Sequence, residues 1–342
     1  VKVKWDIPLL EGYNYKFLKN NSWKPSIYKG FFGLVNLEIF KVLKNERGSY
    51  LVIHGWAYAT NFIAVIAAKL SGVKLCLRAE NPLNQELLKS RHILFLRKIF
   101  FKYIFYPLFD YFFYIGSQNK KLYEYYGAKS NKLIFTPYAV DNDRFRAEYK
   151  KYRDQKTVIR KELKLPLDKK IILTSGKYVP KKRPMDLLKA YHLLNNQNIA
   201  LLFLGDGELK NEMEDCIKEN NLSDVYLTGF KNQSEIGKYF AAANIIVLAS
   251  GAGETWGLVV NEAMNFGLPI IVSDMVGCAS GLVKENVNGF IFNIGNIKDL
   301  SNKIKNLIND KDLMNNFASQ SIKIVSNYSY KNIIIKVKEI LK

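Results

Sequence analysis

Two glutamates, Glu254 and Glu262, stand eight residues apart in residues 246–273, IVLASGAGETWGLVVNEAMNFGLPIIVS. Carboxylates are good acceptors for sugar-type hydroxyls. Inside one continuous helix, residues eight apart are rotated by roughly 80°. The pair therefore converges on one ligand only if Glu254 precedes a helix and Glu262 lies on it. The residues between them offer a second kind of chemistry. Gly257, Leu258 and Val259 open a helix expected over about residues 257–266. N–H groups at such a start face an anion, and the helix dipole favours it. N–H groups for phosphate and carboxylates for hydroxyls together describe a site for a hydroxyl-rich ligand that carries a phosphate.

The elements that must position these groups are legible on either side. Residues 245–248 and 270–272 are short apolar runs, and residues 249–253 are a small-residue loop. Strands that are apolar on both faces and separated by a helix indicate a parallel sheet. Open α/β sheets bind ligands where a strand ends and a helix begins. A second stretch follows another apolar strand, 171–175, and reads Ser175-Gly176-Lys177-Tyr178-Val179-Pro180-Lys181-Lys182. Lys177 and Lys182 could grip a diphosphate there; solvated lysines are the alternative, and Arg183 could serve if the loop slips by one.

The pattern of Glu254, Glu262, Ala263, Gly267 and Pro269, flanked by both strands, resembles the donor site of family 4 retaining glycosyltransferases, which use the GT-B fold. The resemblance covers about residues 50–325 and is closest over 171–292. It implies two Rossmann-like doubly wound α/β domains facing each other across a cleft, with a C-terminal helix that can cross back to the first. It also implies a nucleotide diphosphate sugar as donor. Lys177 and Lys182 would hold the diphosphate, Glu254 the sugar hydroxyls and Glu262 the ribose; Gly176 and the helix start at Gly257–Val259 would contact the donor. Gly229-Phe230 is similar to the family's site where backbone groups meet the base, though a turn glycine beside a core Phe reads the same. His54, at the end of a strand, could hydrogen-bond the transferred sugar or be structural. Arg78 and Glu80 could pair with each other or face an acceptor. Ser117 and Lys120, in GSQNK, match a recurring cleft feature, or Ser117 caps a helix. Gly205-Asp206-Gly207-Glu208 reads as a strand-to-helix turn with an N-cap near Asp206 or Gly207. No Asp-x-Asp motif follows a strand, so neither metal nor other cofactor is implied.

The chain has 342 residues, 48% of them hydrophobic, and a formal net charge of +20. That length suffices for two domains. About +13 of the charge falls in residues 1–150 and about +7 in the rest. Such a balance points to anionic partners: nucleic acid, a membrane surface or phosphate-bearing substrates. No helix-turn-helix, zinc-finger or RNP motif is present, which argues against nucleic acid. Three scattered cysteines, Cys76, Cys216 and Cys278, fit a reducing cytoplasm. Residues 85–108 mix Lys89, Arg91, Arg97, Lys98 and Lys102 with large apolar side chains. They read either as a basic amphipathic helix on an anionic membrane, the protein then being peripheral on its cytoplasmic face, or as a domain helix with a solvated basic face.

The expected organisation is an acceptor-side domain over 1–150, a charged linker over 151–170, a donor domain over 171–325 and a C-terminal helix over 326–342. A helix is expected over 33–44, and alternation in VKVKWDI marks the start. The chain opens at Val1 with no signal peptide, and no strand with a glycine-rich loop precedes Tyr50. A truncated start or a departure from the family pattern would each explain this. The function expected is retaining transfer of a sugar to an acceptor hydroxyl, sugar or lipid-linked, in surface polysaccharide, lipopolysaccharide or glycolipid assembly. A GT-B epimerase or phosphorylase would share the site, and a non-catalytic membrane-surface module would account for the charge alone.

Overall fold

A computed structural model describes residues 6, 8 and 10–341. The alternation expected at the start of the chain lies outside them, Asp6 excepted. The chain divides between Pro137 and Tyr138 into two units. In the N-terminal unit four parallel strands lie in the order β1 (Tyr50–His54), β2 (Lys74–Arg78), β3 (Tyr111–Tyr114) and β4 (Leu133–Phe135). Helix α1 (Ala59–Leu70) connects β1 to β2 and buries Val65, Ala67 and Ala68 with Leu75 and Leu77 of the sheet. Helix α2 (Arg91–Ile99) runs on into a π-helical turn, Phe100–Phe105, and α3 (Ser117–Tyr125) follows β3. The fully buried Tyr123 ties α3 to the end of β2: its Oη accepts from Ala79 N at 2.6 Å and donates to Leu77 O at 3.1 Å.

The helix expected over 33–44 is shorter, a 3₁₀ turn at Phe31–Gly33 and one α-turn at Ile39–Leu43. Asn20 explains the loss, since its amide donates to Gly33 O at 3.0 Å and accepts from Val35 N at 3.0 Å. Side-chain bonds of this kind take the backbone groups a helix would use.

Residues 151–170 form no linker. They carry the end of α4 (Asn142–Tyr152) and all of α5 (Lys156–Glu162), folded into the C-terminal unit. The buried Arg160 guanidinium donates to Ala242 O at 3.0 Å, Lys169 O at 2.9 Å and Asn244 Oδ1 at 2.8 Å. A charged residue of the expected linker is thus the anchor of α5, and the boundary moves back to Pro137.

The C-terminal unit holds six parallel strands: β5 (Lys170–Ser175), β6 (Ile199–Leu204), β7 (Val225–Leu227), β8 (Ile245–Leu248), β9 (Ile270–Ser273) and β10 (Gly289–Phe292). Their order is β10-β9-β8-β5-β6-β7, so the direction of winding reverses between β5 and β8. Helices α6 (Pro184–Leu194), α7 (Lys210–Glu219), α8 (Ile236–Ala242), α9 (Leu258–Asn265), α10 (Ile297–Asn309) and α11 (Lys311–Val325) flank the sheet. β6, β8 and β9 are buried along their whole length, as their unbroken apolar runs require. β10 was not expected. It opens on a glycine that packs directly on β9, where a Cβ would lie 2.1 Å from Ile270 O. The last helix, α12 (Tyr330–Leu341), begins with the C-terminal unit; from Lys336 onward the chain groups with the N-terminal one, where Tyr50 Oη donates to Ile340 O at 2.8 Å.

Candidate functional site

The reversal between β5 and β8 opens a crevice at the carboxyl ends of the C-terminal strands. β5 and β6 end in register, Ser175 beside Leu204, so their two following glycines come together. Gly176 N donates to Leu204 O at 2.9 Å, and Gly205 N to Gly229 O at 3.0 Å. At Gly205, with φ +154°, a Cβ would sit 1.9 Å from Gly176 O, so only glycine lets these loops touch. The result is a cavity of about 680 Å³ within this unit.

Four charged side chains proposed from sequence line it: Lys177, Lys182, Glu254 and Glu262. The loops carrying Lys182 and Glu254 are tied by Gly251 N donating to Lys181 O at 2.7 Å. Glu254 itself is fixed by its N–H to Gly251 O at 3.2 Å and by Gly277 N donating to its carbonyl at 3.1 Å. The Lys182 ammonium consequently meets the Glu254 carboxylate in a largely buried ion pair. Lys177 is exposed at the rim. Arg183 has turned away: with φ +50° it pairs through Nε with Asp186 at 2.5 Å, and it does not line the cavity.

Helix α9 starts behind Gly257, which has φ +92° and lies where a Cβ would come within 2.8 Å of Leu248 Cδ2. Leu258 and Val259 line the cavity, and N–H groups of a first turn have no intrahelical acceptor. The helix is locked from behind. Trp256 Nε1 donates to Asn261 Oδ1 at 2.8 Å, Asn261 Nδ2 to Tyr138 O at 3.1 Å, and Asn265 Nδ2 to Asn142 Oδ1 at 2.8 Å. Glu262 lies one turn into α9. Burial pushes its carboxyl up to about 7, against the pull of the Gln233 hydrogen bond and the Arg144 charge. Gln233 Nε2 donates to it at 3.4 Å and is itself held by Arg144, whose Nη2 donates to Gln233 Oε1 at 2.6 Å. Arg144 pairs in turn with Glu148 at 3.1 Å. The relay Glu148–Arg144–Gln233–Glu262 spans residues far apart in sequence, and no local pattern announces it.

Gly176 and Phe230 line the same cavity, and Gly229, φ +74°, braces it through its bond to Gly205. Tyr138, Gln233 and the tetrapeptide Gly205–Glu208 also line it. The tetrapeptide was expected to cap a helix. Instead α7 begins at Lys210 with Leu209 at its cap, and Asp206 Oδ1 accepts from Gly207 N at 2.8 Å. At Gly207 a Cβ would come within 2.5 Å of Tyr178 O, so glycine allows the close approach of this loop to the Tyr178 backbone.

The remaining candidates belong to the N-terminal unit. His54 ends β1 beside Arg78 of β2; partial burial and the Arg78 charge hold its imidazole below the usual range. Arg78 donates to Thr136 O at 3.1 Å and Thr136 Oγ1 at 3.2 Å, and so ties β2 to the chain after β4. Glu80 follows Arg78 on the loop after β2. Ser117 is the first residue of α3 rather than its cap, which is Gly116, and Lys120 pairs with Glu124 at 3.7 Å. Among the described residues no three His, Cys, Asp or Glu side chains are grouped to hold a metal ion.

Residues 155–324 match the family model described as Glycosyl transferases group 1. An uncharacterised glycosyltransferase of Methanocaldococcus jannaschii is 27% identical over 165 residues, 48% of this chain and 46% of its own. The chain thus spans about half the length of that relative. An alpha-1,4-N-acetyl-D-galactosaminyltransferase of Campylobacter jejuni, named for a GalNAc-containing glycan on PP-undecaprenol, is 27% identical over 299 residues, 85% of this chain and 73% of its own. In fold, the chain is similar to the Anabaena protein HepE solved in complex with UDP. The TM-score is 0.72 at 18% identity, covering 90% of this chain and 82% of that one. The two parallel-sheet units are those of the GT-B fold.

Proposed function

The chain belongs to the glycosyl transferases group 1 family through its residues 155–324, and on that premise we propose that it is a retaining family 4 enzyme using a nucleotide diphosphate sugar. The observation that carries this is the convergence of Lys177, Lys182, Glu254, Glu262 and the start of α9 on one cavity. A diphosphate entering it meets the N–H groups at Gly257–Val259 and the two lysines. Lys182, paired with Glu254, reaches the phosphate oxygens, and Glu254 beside it accepts from the sugar hydroxyls. Glu262, deeper in, accepts from the ribose, and Phe230 offers a face for the base. During transfer the bond from C1 to the diphosphate oxygen breaks, the acceptor oxygen bonds C1 on the same face, and the acceptor's hydroxyl proton passes to the departing diphosphate oxygen. The charge that grows on the leaving diphosphate falls on Lys177, Lys182 and the helix start, a preorganised electrostatic stabilisation; this assignment requires no metal.

The relatives named above include a transferase acting on an undecaprenol-linked glycan and the UDP complex of HepE. They support a UDP-type donor and a sugar or lipid-linked acceptor in surface glycan assembly. The test is Glu254→Gln. Contacts to the transferred sugar strengthen as the leaving group departs, so the variant should lose most turnover yet still bind free nucleoside diphosphate. Full turnover in Glu254→Gln, or product with inverted anomeric configuration by NMR, would overturn the reading.

A further inference from the structure

We infer that the outward face of α2 and its π turn docks on the surface of an anionic lipid bilayer, independently of the donor cavity. The segment's inward side is narrow: Leu94, Phe101 and Phe105 are buried in the core. Arg97 is spent there as well. Its Nε pairs with the buried Glu86 at 2.6 Å and reaches Tyr126 Oη at 3.2 Å, while the guanidinium covers the Phe101 ring at 5.1 Å. Burial would raise the Glu86 carboxyl, but the Lys89 and Tyr126 hydrogen bonds and the Arg97 charge hold it below its usual range. Arg97, grouped by sequence with the surface cations, is therefore structural.

What remains outside is apolar as well as basic, so a domain helix with a merely solvated basic face does not describe it. Phe95 and Leu96 are each 64% exposed and Tyr103 66%, with Ile99 and Ile104 exposed beside them. The cations Arg91, Lys98 and Lys102 stand among them, all exposed, and residues 87–109 contain no Asp or Glu. The patch continues past Phe100. Phe62 lies 6.4 Å from the Phe100 ring and 5.4 Å from Phe31, at the end of a loop that exposes Trp23 (83%) and Tyr28 (88%). Lys24 sits over the Trp23 ring at 4.7 Å, and residues 12–37 also lack any acidic residue.

The occupant follows from this composition. Rings and aliphatic tips among cations, with no acid in either segment, match a bilayer interface carrying anionic headgroups, where Trp and Tyr sit at headgroup level and lysines reach phosphate. A second copy of this chain would set cation against cation. Among the described residues no helix is long and apolar enough to cross a membrane, so the contact is with its surface.

The test is co-sedimentation of the full chain with vesicles of phosphatidylcholine containing about 30% phosphatidylserine, against phosphatidylcholine alone. Binding should require the anionic lipid and weaken as salt rises from about 0.1 to 0.5 M. Lys98→Gln with Lys102→Gln should reduce it roughly 25-fold, at about one kcal/mol for each lysine near the surface. Phe95→Ser with Leu96→Ser should reduce it at least about tenfold through lost apolar burial. Both double variants change exposed side chains and should keep the wild-type melting temperature and nucleoside diphosphate affinity. Equal sedimentation with neutral vesicles, no sedimentation, or unchanged binding by either double variant would overturn the proposal. So would light scattering that shows a dimer broken by Phe95→Ser with Leu96→Ser, because a second copy would then cover this face.

Discussion

Glu262→Gln should stabilise the ligand-free protein at neutral pH while weakening its hold on nucleotide. In the folded chain burial raises the Glu262 carboxyl from its ordinary 4.5 to about 7. At about 1.4 kcal/mol per pH unit, that gap is worth about 3.5 kcal/mol as an upper bound. The sign follows from which state releases its proton first. Below pH 4.5 the group is protonated folded and unfolded alike, and contributes nothing. As pH rises from 4.5 to 7 the unfolded chain ionises while the folded one does not, so stability is progressively lost. Above 7 the whole cost is present. Glutamine carries no such charge, so the advantage of Glu262→Gln should grow by up to about 3 kcal/mol between pH 4.5 and 7.5. That corresponds to several degrees in Tm, at about 2–4 °C per kcal/mol for a unit of this size. Thermal melts of both proteins across that range provide the assay. Calorimetry should show the opposite trend in binding. Wild-type affinity for a nucleoside diphosphate should improve several-fold relative to the variant between pH 6 and 8, because only the ionised carboxylate accepts from both ribose hydroxyls. Parallel stability curves for the two proteins would refute the burial argument, and equal nucleotide affinity at pH 8 would remove Glu262 from the ribose.

The two lysines should not be equivalent. Lys177→Ala, at the exposed rim, should weaken nucleoside diphosphate binding by about 1.5 kcal/mol, and Lys182→Ala by about 3 kcal/mol, the span of charged hydrogen bonds. Lys182→Ala removes a cation that also pairs with Glu254 at the site, so titration calorimetry giving equal losses for the two variants would contradict the deeper placement of Lys182. Gly257→Ala should destabilise the fold by about 1–3 kcal/mol in chemical denaturation, because alanine at φ +92° is strained and its Cβ meets Leu248. The same change should displace the first turn of α9 and lower nucleotide affinity further, while a wild-type midpoint would show that the turn tolerates a side chain.

Much of the C-terminal unit was legible in the sequence, for a physical reason. Strands buried on both faces must be continuous apolar runs, and backbone at positive φ favours glycine, so β5, β6, β8 and β9 and the loops at Gly176 and Gly257 announce themselves locally. Glu254 before α9 and Glu262 upon it is the arrangement that helical geometry requires if the two are to meet one ligand. Only the folded chain decides which charges are spent. Arg160 falls in what reads as a charged linker and Arg97 among the cations of a membrane-facing or solvated helix face, yet the first anchors α5 through carbonyls and the second neutralises a buried Glu86. Arg183 and Lys182 are neighbours with the same charge, and a single left-handed residue sends one to Asp186 and the other to Glu254. The relay that holds Glu262 joins Arg144, Gln233 and α9 across about 120 residues of chain. Sequence order carries information about local periodicity and steric need; the burial that turns a charge from solvated to structural, or lifts a carboxyl to neutral pH, exists only once distant elements have packed.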